Sequence, residues 1–265
     1  MNTRVTVKTI REMKQNGKKI VSLTAYDASF ARVIDEQGVD VILVGDSLGM
    51  VMQGHDSTVP VSVDDIVYHT KSVAPQCKRA LLMADLPFMS YTDPQQAIRN
   101  AARLMQQGGA HIIKLEGGEA QLHTVRHMTR HGVPVCAHLG LTPQTVHKLG
   151  GYHVQGREQE VARQMLSDAL ALQDAGADAL VLECVPVDLA KQLTDELQIP
   201  TIGIGAGRVC DGQVLVLQDM IGISSLAPKF TANFLRDGRN IQEAIGAYVK
   251  AVREGSFPAD EQCFF

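Results

Sequence analysis

A single local pattern recurs along the chain: a helical stretch and a glycine precede a short apolar run that ends in a polar or charged residue. Two copies align end to end, residues 109–116 (GAHIIKLE) and 176–183 (GADALVLE), and a third, 38–46 (GVDVILVGD), places its acid one position later. Glycine ends a helix cheaply because it adopts the left-handed conformation. A continuous apolar run is typical of a strand covered on both faces of a parallel sheet. The pattern therefore predicts alternating helices and parallel strands.

The spacing of these runs points to one architecture. Between Asp46 and Gly205 the runs end at intervals of 39, 31, 22, 45 and 22 residues. Eight units of about 32 residues would nearly fill the 265-residue chain, and a (β/α)8 barrel typically needs about 250. We expect an α/β fold, a (β/α)8 TIM barrel with an extra N-terminal helix, as a single catalytic domain over residues 1–265. A doubly wound open sheet uses the same local units and is the alternative.

The apolar runs also give approximate element positions. The pattern predicts a first strand at 20–24, further strands at 41–44, 81–84, 112–116, 133–138, 179–183 and 199–205, and an eighth near 214–217. One helix is predicted to begin at Thr92 or Asp93, with Pro94 in its first turn, and another to cover 158–175. The connections 46–63 and 139–157 are long and rich in Gly, His, Thr and Pro, and long ordered loops are often functional.

Charge and composition exclude several classes of protein. The formal net charge is −4 and the chain has no Trp, so neither a basic field nor an aromatic platform favours nucleic acid. No apolar run is long enough to span a bilayer, and the basic N-terminus is interpreted as a surface helix rather than a transit peptide. Five scattered cysteines without a CxxC pair favour a reducing, cytoplasmic compartment. We expect small-molecule substrates, with no nucleic-acid partner and no membrane.

Several ionisable side chains stand where predicted strands end. In a parallel barrel the C-terminal ends of all strands meet at one face, which carries the catalytic groups. Lys114 precedes Glu116 by two residues and therefore projects from the same face of its strand. We call the cavity at this face the crater. The residues predicted to line it are Asp46, Asp85, Lys114, Glu116, His138 and Glu183.

So many carboxylates in one crater repel each other unless a cation lies among them. Mg²⁺ prefers oxygen ligands, so Asp46, Asp85 and Glu116 are candidate metal ligands, directly or through water. The alternative is that each is a helix cap or an ion-pair partner. Burial would raise the pKa of Glu183 toward that of a useful base. The alternative for Glu183 is a salt bridge to Lys114.

The cationic and imidazole side chains have two interpretations each. Lys114 could bind an anionic substrate group or could simply balance the acids. His138 could donate a hydrogen bond to a substrate oxygen, or it could be structural. Asp27 could join the crater or cap the helix that follows it.

Three further signals are weaker. His123 and His127 are spaced like a metal pair but lie among charged residues, which favours a surface position. Cys184 is expected to be a buried, inert thiol. The glycine-rich run 203–207 could cradle a phosphate or form a tight turn.

The chain resembles the ketopantoate hydroxymethyltransferase (3-methyl-2-oxobutanoate hydroxymethyltransferase) family of pantothenate biosynthesis. The resemblance extends over about residues 20–235, and many blocks match in one order. The matching blocks are 24–27 (TAYD), 44–50 (VGDSLGM), 53–58 (QGHDST), 84–89 (ADLPFM), 114–118 (KLEGG), 138–144 (HLGLTPQ), 150–152 (GGY), 154–157 (VQGR), 182–186 (LECVP) and 202–207 (IGIGAG).

The resemblance implies a (β/α)8 barrel, a homodecamer and dependence on Mg²⁺. The implied reaction moves a one-carbon unit from 5,10-methylenetetrahydrofolate to 3-methyl-2-oxobutanoate and gives 2-dehydropantoate. It implies that Ser47, Asp85 and Lys114 contact the ketoacid and that Glu183 accepts the proton. The metal-site acids it implies are Asp46, Asp85 and Glu116. We also expect Asp46 and His138 among the substrate-binding residues.

Two other functions remain open at this point. One is a Mg²⁺-dependent α-ketoacid C–C lyase or mutase of the isocitrate lyase and phosphoenolpyruvate mutase type, which generates enolates at a strand-end metal. The other is a ligand-sensing barrel without catalysis, although the intact set of crater residues argues against it.

Overall fold

The strands of the chain form a closed parallel barrel. The computed structural model describes residues 4–224, 227–236 and 238–265. Each strand pairs in parallel with the next, and β8 returns to pair with β1. The strands are β1 (Ile20–Thr24), β2 (Val41–Val44), β3 (Leu81–Asp85), β4 (Ile112–Glu116), β5 (Val135–Gly140), β6 (Ala179–Glu183), β7 (Thr201–Ile204) and β8 (Gly212–Leu215). The predicted barrel is confirmed, and the open sheet was the wrong alternative.

Helices surround the barrel and begin where the sequence supplies capping groups. The Asp93 side chain accepts hydrogen bonds from the backbone N–H groups of Gln95 and Gln96, and Pro94 occupies the first turn. The helices are α1 (Val7–Gln15), α2 (Ala28–Glu36), α3 (Leu48–Val51), α4 (Val63–Val73), α5 (Pro94–Arg103), α6 (Leu122–Arg130), α7 (Val146–Leu149), α8 (Gln159–Asp174), α9 (Val187–Glu196), α10 (Leu217–Met220) and α11 (Ile241–Arg253).

Alternate strand residues fill two cores. Val21, Ile42 and Leu82 face outward and pack beneath the helices, whereas Ile20 and Val41 face the barrel interior. Helix α1 closes the end of the barrel where the strands begin, because Ile10 is fully buried in the interior core. The extra N-terminal helix is therefore confirmed, and it also plugs this end of the barrel. The opposite end is left for the site.

Three details differ from the sequence prediction. Strand β8 begins at Gly212, two residues before the predicted start, because only a residue without a Cβ tolerates the approach of the Ile20 carbonyl. The connection between β7 and β8, residues 205–211, contains turns and no helix. The long connections 46–63 and 139–157 contain the short helices α3 and α7.

Two findings bear on the compartment and on membranes. No helix among the described residues is long and apolar enough to cross a membrane. All five cysteines are free and buried.

Candidate active site

The carboxylates of Asp46 and Asp85 lie side by side where β2 and β3 end. Asp85 Oδ2 accepts a hydrogen bond of 3.1 Å from the backbone N–H of Asp46. Gly45 makes this approach possible, since a Cβ there would stand 3.3 Å from Asp85 Oδ2 and 3.0 Å from Ser47 Oγ. Both acids are buried. The two strand ends therefore present a paired carboxylate site.

Lys114 provides a positive charge against this pair. Strand register places it directly beside Asp85, and its Nζ donates a hydrogen bond of 2.9 Å to Asp85 Oδ1. Burial alone would lower the pKa of Lys114, but the charges of Asp85, Glu116 and Asp46 outweigh burial and raise it. Lys114 is therefore a buried ammonium ion. The predicted role as a counter-charge is present in the structure, and substrate binding is compatible with it.

His138 lies between the two glutamates of the crater. Its Nδ1 is 3.5 Å from Glu116 Oε1 and its Nε2 is 3.4 Å from Glu183 Oε2, yet neither ring nitrogen makes a well-aligned hydrogen bond to a described residue. Burial and the nearby Lys114 charge lower the pKa of His138 well below its usual range. A neutral imidazole can donate to one carboxyl and accept from the other.

Crowding raises the pKa of several carboxyl groups. Burial, then the charges of Asp85 and Glu116, raise the pKa of Asp46 well above its usual range. Burial raises the pKa of Glu116 to about 7, against the opposing effect of Lys114. Burial and the charge of Glu116 raise the pKa of Glu183 to about 8. Perturbed groups of this kind cluster at functional sites.

Glu183 differs from the other acids in its access to the crater. Its side chain is 15% exposed, whereas that of Glu116 is 3% exposed. Gly140 allows β5 to pass close to it, because a Cβ at this position, where φ is +96°, would stand 2.2 Å from the Glu183 carbonyl oxygen. Glu183 is therefore the carboxylate best placed to meet a ligand.

Ser47 is held by a buried tyrosine. The hydroxyl groups of Tyr26 and Ser47 are 2.8 Å apart, and burial raises the pKa of Tyr26, so the phenol stays protonated. Tyr26 belongs to the 24–27 block at the end of β1, but no local pattern assigns it a role. Its position beside Ser47 identifies it as part of the site.

Gln144 is a second residue that the sequence did not single out. Its Nε2 donates to Asp46 Oδ2 at 2.7 Å and to the Leu86 carbonyl at 2.9 Å. Its backbone N–H donates to Glu116 Oε2 at 3.1 Å. The Tyr91 hydroxyl donates to its Oε1 at 2.5 Å and thereby fixes the orientation of the amide. Its position in the long 139–157 connection was the available signal.

The residues present suit a divalent cation that prefers oxygen. Four buried or half-buried carboxylates lie around one ammonium group, Lys114, and a bound cation would offset their remaining negative charge. Burial first, and neighbouring carboxylates second, raise the pKa of Asp46, whereas burial is the main cause of the raised pKa of Glu116. No three His, Cys, Asp or Glu side chains within residues 4–224, 227–236 and 238–265 form a ready-made metal cluster. Asp46 and Asp85 form a close pair, whereas Glu116 turns toward His138 and Gln144.

The remaining candidates lie outside this group. Asp27 caps α2 by accepting from the backbone N–H groups of Ser29 and Phe30, so of its two interpretations the structure shows the cap. His123 is exposed on α6, in line with the expected surface position. Cys184 is buried, and burial raises the pKa of its thiol, in line with an inert group.

Comparison with known proteins decides the family. The family model described as ketopantoate hydroxymethyltransferase matches residues 4–260. The chain belongs to the ketopantoate hydroxymethyltransferase family. Membership makes it a transferase enzyme, and the resemblance inferred from the motif blocks is confirmed.

Curated relatives of the family match over nearly their whole length. The chain is 55% identical over 260 residues to a 3-methyl-2-oxobutanoate hydroxymethyltransferase of Halorhodospira halophila, covering 98% of this chain and 94% of the relative. It is 58% identical over 255 residues to the protein of that name in Alkalilimnicola ehrlichii, covering 96% and 92%.

Solved structures with this fold include more distant enzymes. Phosphoenolpyruvate phosphomutase of Streptomyces platensis subsp. rosaceus superposes with a TM-score of 0.62 at 15% identity, covering 88% of each chain. A phosphonopyruvate hydrolase complex with oxalate and Mg²⁺ gives 0.61 at 12% identity, covering 97% of this chain and 93% of the other. At these identities the likeness shows the shared barrel fold alone, so it leaves the assignment to the ketopantoate hydroxymethyltransferase family unchanged.

Proposed function

We propose that the chain transfers a hydroxymethyl group from 5,10-methylenetetrahydrofolate to 3-methyl-2-oxobutanoate and gives 2-dehydropantoate. The observation that carries the proposal is the crater in which Lys114 and Asp85 pair beside Asp46. Glu183 lies across the His138 ring from Glu116. Family membership supplies the reaction class, and the crater supplies the groups that the reaction needs. We include the single catalytic domain of residues 1–265 in this proposal.

The ketoacid is anchored by its carboxylate. The Lys114 ammonium has three donors, one of which bonds Asp85, and the others can bind a substrate carboxylate. Ser47, oriented by Tyr26, supplies a hydroxyl at the rim of the same site. Asp85, which accepts the hydrogen bond from Lys114, would also face the substrate.

Asp46 and Asp85 would hold Mg²⁺, with Glu116 contributing through water. When bound, the ion acts as a Lewis acid that favours negative charge on the keto oxygen of the substrate. Gln144 occupies Oδ2 of Asp46, a bond that leaves Oδ1 to face a cation. These assignments rest on the all-oxygen donor set and its excess negative charge.

Glu183 removes the proton from C3 of the ketoacid. Its buried position makes it a stronger base than a solvated glutamate, since burial raises its pKa to about 8. His138 contacts the far side of this carboxyl and is neutral, so it can steady the protonated form without adding charge. We therefore assign His138 to the support of the Glu183 carboxyl group. A direct hydrogen bond from His138 to the substrate stays a prediction.

Bond formation follows proton removal. The methylene carbon forms one bond to the carbanion carbon C3 and one to the oxygen of a water molecule, while both of its C–N bonds to the folate break. The two folate nitrogens take up the proton that left C3 and one proton of the water, and tetrahydrofolate leaves. Lys114 helps to offset the negative charge that the substrate carries during this step.

Assembly and compartment complete the proposal. Free, buried cysteines suit a reducing cytoplasm, and the resemblance implies a homodecamer. Size-exclusion chromatography with light scattering tests the assembly directly.

Isotope transfer tests the proposed reaction. With ¹³C-labelled methylene donor, ketoacid and Mg²⁺, we expect the label in the hydroxymethyl carbon of 2-dehydropantoate. A folded, metal-binding sample that instead cleaves isocitrate or 2-methylisocitrate would overturn the proposal in favour of the lyase type.

A further inference from the structure

A recess opens beside the crater, and the roles described above leave its space unassigned. It has a volume of about 260 Å³ and lies between the loops that follow β3, β4 and β5. It shares Glu116 and Gln144 with the crater, and Ala120 and Gln121 line its wall. A ligand in this recess would therefore lie next to a ligand in the crater.

Gln121 lines this recess and carries an unused acceptor. Its Oε1 is buried and has no hydrogen-bond partner within the described part of the chain. A buried acceptor left unpaired is costly, and each such group in a folded protein calls for an explanation. A ligand that donates a hydrogen bond would satisfy it.

The rim of the recess is apolar and strained. Phe88 is 38% exposed and Met89 is 60% exposed, although both are large apolar side chains. Met89 adopts a left-handed conformation with φ of 59°, which is uncommon for a residue other than glycine. Strained residues of this kind cluster at ligand sites. Aromatic and thioether side chains also suit the face of a flat ring.

The recess and the crater differ in the chemistry that they select. The crater is lined by charged groups that fit a small anionic ketoacid, whereas the recess combines apolar walls with one unpaired acceptor. The matching ligand is a flat heteroaromatic ring that carries N–H donors along one edge. The proposed one-carbon donor contains such a ring in its pterin.

We propose that this recess binds the pterin ring of the tetrahydrofolate co-substrate, with a ring N–H or amino group donating to Gln121 Oε1. The proposal rests on the proposed function, since that function supplies the folate. Glu116 then lies at the boundary between the two substrates. The methylene group would enter the crater from the side of the β4 loop.

Two variants test the assignment. Gln121→Met removes the acceptor at similar size, and Ala120→Leu fills part of the recess from an exposed position. We expect each to weaken tetrahydrofolate binding about tenfold or more, measured by calorimetry with tetrahydrofolate alone and as the KM for the methylene donor. The C3 proton exchange of the ketoacid, measured without folate, should stay within about twofold of wild type.

A matched control and the exchange assay separate the outcomes. Gln15→Met makes the same change on an exposed residue at the end of α1, at the plugged end of the barrel, and should leave both affinities unchanged. If the wild-type protein requires folate for turnover but Gln121→Met binds tetrahydrofolate as tightly as wild type, the inferred pterin site is overturned and the proposed function stands. Loss of ketoacid exchange together with folate affinity also overturns it. Turnover by the wild-type protein without folate overturns the proposed function itself.

Discussion

The side-chain amide of Gln144 donates a 2.7 Å hydrogen bond to Asp46 Oδ2 across 98 residues of sequence. The backbone N–H of the same residue donates to Glu116 Oε2. One residue of the β5 loop thus holds two of the acids proposed to bind Mg²⁺. Groups that orient metal ligands typically contribute a factor of about 10–100 to metal affinity.

Replacing Gln144 should therefore weaken metal binding. For Gln144→Met we expect Mg²⁺ affinity to fall about 10–100-fold by calorimetry, because Asp46 loses its fixed orientation. Gln213→Met is the matched control: Gln213 is also buried, but its amide donates to the Gly207 carbonyl on the β7–β8 side. Equal Mg²⁺ affinity in Gln144→Met and wild type would contradict the assignment.

Tyr26 should affect ketoacid binding without affecting the fold. Tyr26→Phe removes the hydroxyl that orients Ser47, and a neutral hydrogen bond contributes about 0.5–1.5 kcal/mol. We expect the KM for the ketoacid to rise about 2–10-fold. Tyr248→Phe is the control, because the Tyr248 hydroxyl donates to the backbone carbonyls of Ser22 and Gln213. The free energy of unfolding should fall in this variant, while the KM for the ketoacid should stay unchanged. A KM effect of equal size in both variants would argue against a specific role for Tyr26.

The acid cluster should destabilise the metal-free protein as pH rises. Burial raises the pKa of Glu116 from its usual 4.5 to about 7 in the folded chain, so between these pH values the folded state binds more protons than the unfolded state. Stability then falls with rising pH across this window. Glu116→Gln removes the charge, and we expect the metal-free variant to exceed wild type by about 2 kcal/mol at pH 8.

The same comparison at low pH supplies the control. At pH 4.5 and below, Glu116 is protonated in the folded wild type, so the two proteins should differ little in their free energies of unfolding. Chemical denaturation at both pH values, with chelator present, measures the difference. A Glu116→Gln protein that is less stable than wild type at pH 8 would show that the carboxylate is satisfied rather than strained.

The barrel could be predicted because its signals are local. Each strand is a continuous apolar run that follows a glycine, as in 109–116 and 176–183, and this pattern depends on neighbouring residues alone. The apolar run predicts a start for β8 two residues later than the observed one, because Gly212 belongs to the strand for a tertiary reason, the close approach of the Ile20 carbonyl. The low intrinsic preference of glycine for β-strands argues against including Gly212 when only the sequence is considered.

The site residues also divide into those with a local sequence signal and those whose role depends on tertiary contacts. Asp46, Asp85, Glu116, His138 and Glu183 were predicted because each ends a strand or follows one, and a barrel brings such ends together. Tyr26, Tyr91 and Gln144 lie in loops, and their roles depend on where those loops fold back over the strand ends. Hydrogen bonds such as Tyr91 to Gln144 have no counterpart in local sequence pattern.

The central claim is that Glu183 takes the C3 proton of the ketoacid. General base catalysis contributes about 10²–10⁴-fold, and Glu183→Gln removes the base while keeping the size of the side chain. Glu119→Gln, an exposed change in the β4 loop, controls for the loss of one negative charge near the crater.

Proton exchange at C3 of 3-methyl-2-oxobutanoate in D₂O, followed by NMR with and without Mg²⁺, tests this claim most directly. We predict Mg²⁺-dependent loss of the C3 proton signal with wild type and with Glu119→Gln. With Glu183→Gln the rate should fall about 10²–10⁴-fold while the ketoacid still binds. A wild-type exchange rate in Glu183→Gln would contradict the account.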